Sequence, residues 1–176
     1  MPDPTAIPLP VVADHRDPVG DVGPRRDLHP LPPPVPGLYL RRRNQGFVAH
    51  LTASAGGFRL LRGLIVRVLA DHGADAEAAE AAQLVVSELV GNSVRACGEH
   101  VPLVVEAYVA VFGIAVNVHD PDPCVLPRSR GVELCDPEAE SGRGLGLLDL
   151  LAPGWHVCRS PVGKQIRCRV PAGRPA

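Results

Sequence analysis

Leu84-Val85-Val86-Ser87-Glu88-Leu89-Val90-Gly91-Asn92-Ser93-Val94-Arg95 is the stretch on which the fold turns. Ahead of it Asp75 is placed to cap a helix and Ala76–Ala82 is nearly pure helix former; Gly98 is the natural stop. The helix is strongly apolar, yet Glu88 and Asn92 stand four residues apart, so both side chains project from one face a turn apart. Two readings stand at this point. The pair is either a solvated surface couple or a carboxylate and a carboxamide turned to a pocket, where oxygen ligands suit Mg²⁺ and the acid can take a proton.

Towards the N-terminus, Leu60, Leu61, Leu64, Ile65 and Val68 recur at three- and four-residue steps, the pattern of an amphipathic helix that ends near Asp71–Gly73. Gly46–Ala53 reads as a first strand with Phe47 and Leu51 inward, and Arg41–Arg43 as a solvated strand edge ahead of it. Of the 20 prolines, 11 fall in residues 1–36. Composition therefore predicts a disordered proline-rich arm over 1–37, a folded domain over 38–171 and a short tail over 172–176.

Towards the C-terminus, Leu103–Val109 and Phe112–Val118 read as a hairpin with Gly113 at or beside the turn. Phe112, Ile114, Val116 and Val118 share one face, and the two-residue period carries Asp120 to that same inward side. Asp120 is then either a turn-forming acid ahead of Pro121 or a buried acceptor for an exocyclic amine such as that of adenine. Residues 121–141 carry four prolines and no period, a length that suggests a lid. The segment Gly142, Arg143, Gly144, Leu145, Gly146 opens a short helix, with Leu147, Leu148 and Leu151 on its apolar side. Such a junction is either a tight turn or a place where backbone amides meet an anion. Trp155–Cys158 and Gln165–Val170 form a last hairpin, in a register that sets Cys158 near Gln165 rather than opposite Cys168.

The order strand, two helices, two strands, loop, helix, two strands specifies an α+β two-layer sandwich: a mixed, mostly antiparallel sheet covered on one face by helices. The 176 residues suffice for one domain and an appendage. A formal net charge of -1 argues against a nucleic-acid or anionic-membrane surface. Lys164 is the sole lysine among 18 basic residues. The five cysteines have no Cys-x-x-Cys pair or zinc-site spacing, which suits idle thiols in a reducing cytoplasm. Val101–Val118 approaches a membrane span in length, but Glu106, Gly113 and Asn117 interrupt it and its alternation suits strands.

Glu-Leu-Val-Gly-Asn (88–92), Val-His-Asp-Pro (118–121) and Gly-Arg-Gly-Leu-Gly-Leu (142–147), in this order, resemble the nucleotide-binding motifs of the histidine-kinase-like ATPase superfamily. The wording is most similar to the anti-sigma-factor serine/threonine kinases and their short single-domain relatives, over roughly Phe47–Pro171. The resemblance implies a Bergerat-type fold that binds ATP with Mg²⁺. It implies Asn92 as the metal ligand, Glu88 as the general base on a partner's serine or threonine, and Asp120 as the acceptor for the adenine amine. Gly142, Arg143, Gly144, Leu145 and Gly146 would form the hinge of an ATP lid and its phosphate contacts. Lys164 and Gln165 fall in the stretch ahead of the last strand where relatives carry Gly-Lys-Thr; Gln165 stands for the threonine that helps fix adenine. The implied partners are an anti-sigma-factor antagonist, a sigma factor and a second copy of the chain. A catalytically inactive nucleotide sensor or scaffold is the alternative. Autophosphorylation on histidine is not expected, since the proline-rich residues stand where a histidine kinase carries its phosphoacceptor helices.

Overall fold

The computed structural model describes residues 28–43, 45–123 and 143–173. Its elements run β1 (Leu38–Arg43), β2 (Gly46–Thr52), α1 (Ala55–Asp71), α2 (Ala76–Cys97), β3 (Pro102–Ala110), β4 (Gly113–Asp120), α3 (Arg143–Leu151), β5 (His156–Ser160) and β6 (Gly163–Pro171). The six strands form one sheet in the order β1-β2-β3-β4-β6-β5. Every pairing is antiparallel, so the expected mixed sheet is not found among the described residues. The arginine run is itself strand: Arg41–Arg43 belong to β1, which pairs with β2 along its whole length.

Both long helices start where side chains satisfy free amides. Ser54 accepts from the Gly57 amide at 3.3 Å, and Asp75 accepts from the Ala78 amide at 3.1 Å. Gly98, with φ of +89°, ends α2. The helices cover the sheet face that presents Phe47, Ala49, Val105, Val116 and Ile166, all buried. Leu61, Ile65 and Val68 of α1 complete that core, but Leu60 is 46% exposed, because one residue of rotation carries it off the apolar stripe. Phe112 likewise leaves the inward face assigned to it. It sits in the β3–β4 turn, 39% exposed, while Ile114, Val116, Val118 and Asp120 keep the alternation. The sheet's other face is polar along β1, β3 and β4: Arg43 pairs with Glu106, which also accepts from Asn117 Nδ2 at 3.0 Å.

Residues 28–37, grouped by composition with the arm, lie against the domain. His29 Nδ1 is 2.7 Å from Asp71 Oδ1, Val35 bridges Leu38, and Leu31 packs on the core. The arm's residues 1–27 lie outside the described residues. Val101–Val118 is the β3–β4 hairpin, and among the described residues no helix is long and apolar enough to cross a membrane. Cys158 pairs with Gln165, as its hairpin register predicts. Cys97, Cys158 and Cys168 are free thiols; Cys124 and Cys135 lie outside the described residues.

The β4–β6 ladder is clamped by glycine at both ends. At Gly163, φ is +136° and a Cβ would lie 2.0 Å from the Asp120 carbonyl oxygen; at Gly113, φ is +128° and a Cβ would lie 2.2 Å from the Val170 carbonyl oxygen. Gly163→Ala should therefore cost at least about 2 kcal/mol of stability, measured by urea denaturation, because neither backbone can yield without opening the ladder. Burial pushes the Cys168 thiol up to about 12, so at pH 8 it is protonated. Iodoacetamide should leave Cys168 unmodified in the folded protein at that pH and alkylate it in urea, as read by peptide mass.

Candidate functional site

Three buried polar side chains, Ser93, Asp120 and Lys164, stand out among the described residues, and Ser93 and Lys164 both bond to Asp120. Ser93 lies on the inward stripe of α2 with Val86, Leu89 and Val90. Asp120 ends β4, and Lys164 is opposite it in the β4–β6 register. Lys164 Nζ donates to Asp120 Oδ1 at 2.7 Å and to the Asp122 carbonyl oxygen at 2.7 Å. Ser93 Oγ donates to Asp120 Oδ2 at 2.9 Å, and the Asp122 amide donates to Asp120 Oδ1 at 3.0 Å. Asp120 closes a local turn over Pro121 and is also buried and turned to the core, with acceptor positions met by partners from within the chain. The side chains of Lys164 and Asp120 are 2% and 3% exposed, so the ion pair lies in low dielectric, where its attraction must offset desolvation of two charges.

Glu88 and Asn92 are both half-buried, one turn apart on α2. Ser93, one residue beyond Asn92, is the side chain by which α2 reaches Asp120. Asn92 Oδ1 accepts from the Arg95 guanidinium, and Asn92 Nδ2 is buried without a hydrogen-bond partner among the described residues. Arg143–Gly146 form the first turn of α3, a helix that packs on α2. Gly142 and the expected lid fall largely outside the described residues. Cys97, at the last turn of α2, has its thiol raised first by burial and then by the Asp120 and Asp122 carboxylates, with Lys164 acting in the opposite direction.

Gln165 is not at this corner. Lys164, Ile166, Cys168 and Val170 alternate inward along β6, so Gln165 falls on the opposite sheet face, beside His119 and Cys158, where its Oε1 accepts from Arg167 Nε at 2.7 Å. Gln165, expected beside Asp120, therefore lies on the other side of the sheet; period two in the strand turns Lys164 to Asp120 instead. Ser93 was missed as a partner of Asp120, although a signal existed: it is the one polar residue on the 86, 89, 90, 93 stripe of an apolar helix. The Lys164 contact had no local signal, being made between residues 44 apart.

Residues 51–170 match the family model described as the histidine kinase-like ATPase domain. An uncharacterized protein of Streptomyces coelicolor is 43% identical over 82 residues, which cover 44% of this chain and 72% of that protein.

Removing the buried acid or its Ser93 donor has a graded cost. Asp120→Ala strands an ammonium in the core and should lower stability by about 3–5 kcal/mol. Ser93→Ala removes one donor to a charged acceptor and should cost about 1.5–3 kcal/mol. Chemical denaturation should rank the two in that order; equal and negligible losses are incompatible with a buried ion pair.

Proposed function

The chain belongs to the histidine kinase-like ATPase domain family, and from that premise we propose that it is an ATP-dependent serine/threonine kinase of an anti-sigma-factor antagonist. The same proposal includes a sigma factor as a second protein partner, a homodimeric assembly and a cytoplasmic place of action. As a member of this family the domain is of the ATP-binding type; the protein substrate is what is proposed.

Support comes from one placement. Glu88 and Asn92 are half-buried a turn apart on α2, Asn92 carries an unpartnered buried amide nitrogen, and the Arg143–Gly146 turn starts the helix packed on α2. A hard cation bridging phosphates takes oxygen ligands, and Asn92 Oδ1 is such an oxygen once Arg95 releases it. At this end the donor chemistry fits a magnesium nucleotide. At the base end it fits less well, since Asp120 already accepts from Lys164, Ser93 and the Asp122 amide.

When bound, the magnesium nucleotide supplies the transferable phosphoryl group and the charge neutralisation that makes it labile. Glu88 would take the proton of the partner's serine or threonine hydroxyl as that oxygen bonded to the γ-phosphorus, with ADP as the leaving group. Asn92 would hold the metal through Oδ1.

A second function, nucleotide sensing or scaffolding without phosphotransfer, is favoured by Lys164 standing 2.7 Å from the acid that the base would need. The two separate on transfer of labelled phosphate from ATP to a purified antagonist protein in the presence of Mg²⁺. A kinase transfers label, Glu88→Ala slows it by roughly 10²- to 10⁴-fold, and Asn92→Ala raises the Mg²⁺ needed for half-maximal rate. Undiminished transfer by Glu88→Ala removes the base from the mechanism, and binding of ATP without any transfer supports the sensor.

A further inference from the structure

The acid assigned to base recognition is already largely engaged from within the chain. A carboxylate offers about four acceptor positions, and three on Asp120 are filled: two on Oδ1 by Lys164 Nζ and the Asp122 amide, one on Oδ2 by Ser93 Oγ. The occupant that matters is the ammonium. An exocyclic amine of a purine is a neutral N–H donor, whereas Lys164 donates with a full charge at 2.7 Å and is anchored a second time at the Asp122 carbonyl oxygen. Charge-assisted bonds outcompete neutral ones of the same geometry. Neither side chain is more than 3% exposed, so a base has no approach to the acid while the pair is closed. The backbone does not relieve this, since Gly163 brings β6 hard against the end of β4 and seats Lys164 opposite Asp120.

We infer that Lys164 is the specificity-determining residue of the base corner, a tethered ammonium standing in the position of the nucleotide's own amino group. It rests on taking the Glu88–Asn92–Asp120 region as the nucleotide site. Its consequence is that an adenine amine reaches Asp120 only when Lys164 moves away, so the chain binds Mg·ATP weakly and loss of the ammonium strengthens binding.

Calorimetric titration of the full chain with Mg·ATP tests this. Lys164→Thr and Lys164→Met should each bind about tenfold tighter than wild type or better. Asp120→Asn introduced into Lys164→Thr should abolish the gain. Wild-type affinity equal to that of both variants overturns the inference.

Should the variants fail to fold, as seen in circular dichroism melts, the wild-type chain suffices, because it has a single lysine. Lysine labelled with ¹⁵N at Nζ then gives one side-chain resonance. That resonance should shift as Mg·ATP saturates the protein, and a resonance unmoved at calorimetric saturation overturns the proposal. Failure of the underlying site looks different: folded wild type and variants that all ignore Mg·ATP remove the nucleotide site, whereas Mg·ATP bound with indifference to Lys164 removes only the lysine's role.

Discussion

The Asp120–Lys164 contact can exist only if β4 and β6 lie in one register, and much of the domain is arranged around that register. The ladder runs from Gly113 opposite Pro171 to Asp120 opposite Lys164, and at each end a glycine admits a backbone approach that a Cβ would block. A slip of one residue would turn Lys164 to the polar face and bring Gln165 into the core. It would also send Ile166, Cys168 and Val170 outward, so apolar burial and the ion pair enforce the same alignment. Because Ser93 binds the same carboxylate, α2 is tied to this register as well.

Two kinds of polar group share α2, and their surroundings divide their tasks. Ser93 faces the sheet, is buried, and has its hydroxyl committed to Leu89 and Asp120. Glu88 and Asn92 are half-buried on the flank, where a carboxylate keeps access to solvent and an amide can exchange Arg95 for another partner. The flank groups can therefore change partners at little cost. The Asp120–Lys164 corner is the reverse case: a charge pair in low dielectric holds its geometry tightly.

Much of this architecture was legible in local pattern. The 3.6-residue period over α1 and α2, the Asp75 and Gly98 caps, and the two-residue alternation that carries Asp120 inward along β4 follow from burying one face of each element, and the structure has all three. The exceptions have the same physical origin. Leu60 and Phe112 are apolar but sit one residue off the buried face or in a turn, and hydrophobicity alone does not say where an element ends. Arg41–Arg43 do lie at a solvated sheet edge, as expected, but as part of a separate strand, β1, which charge-rich composition does not announce even though an edge strand with one solvated face accommodates charge readily.

What the sequence by itself determined is the set of elements, their inward faces, and three motifs whose order specifies the family. It also contained both charges of the buried pair, as an inward acid at the end of one strand and a lone lysine at the start of another. Only the tertiary structure decided that these two charges meet, that Ser93 joins them, and that Gln165 faces away. Local periodicity sets which side of a strand a residue takes, but which strand lies beside it is chosen by the packing of the whole sheet. The β4–β6 pairing is made across a crossover containing α3 and β5, and a contact at that distance along the chain leaves no trace in either segment's own pattern.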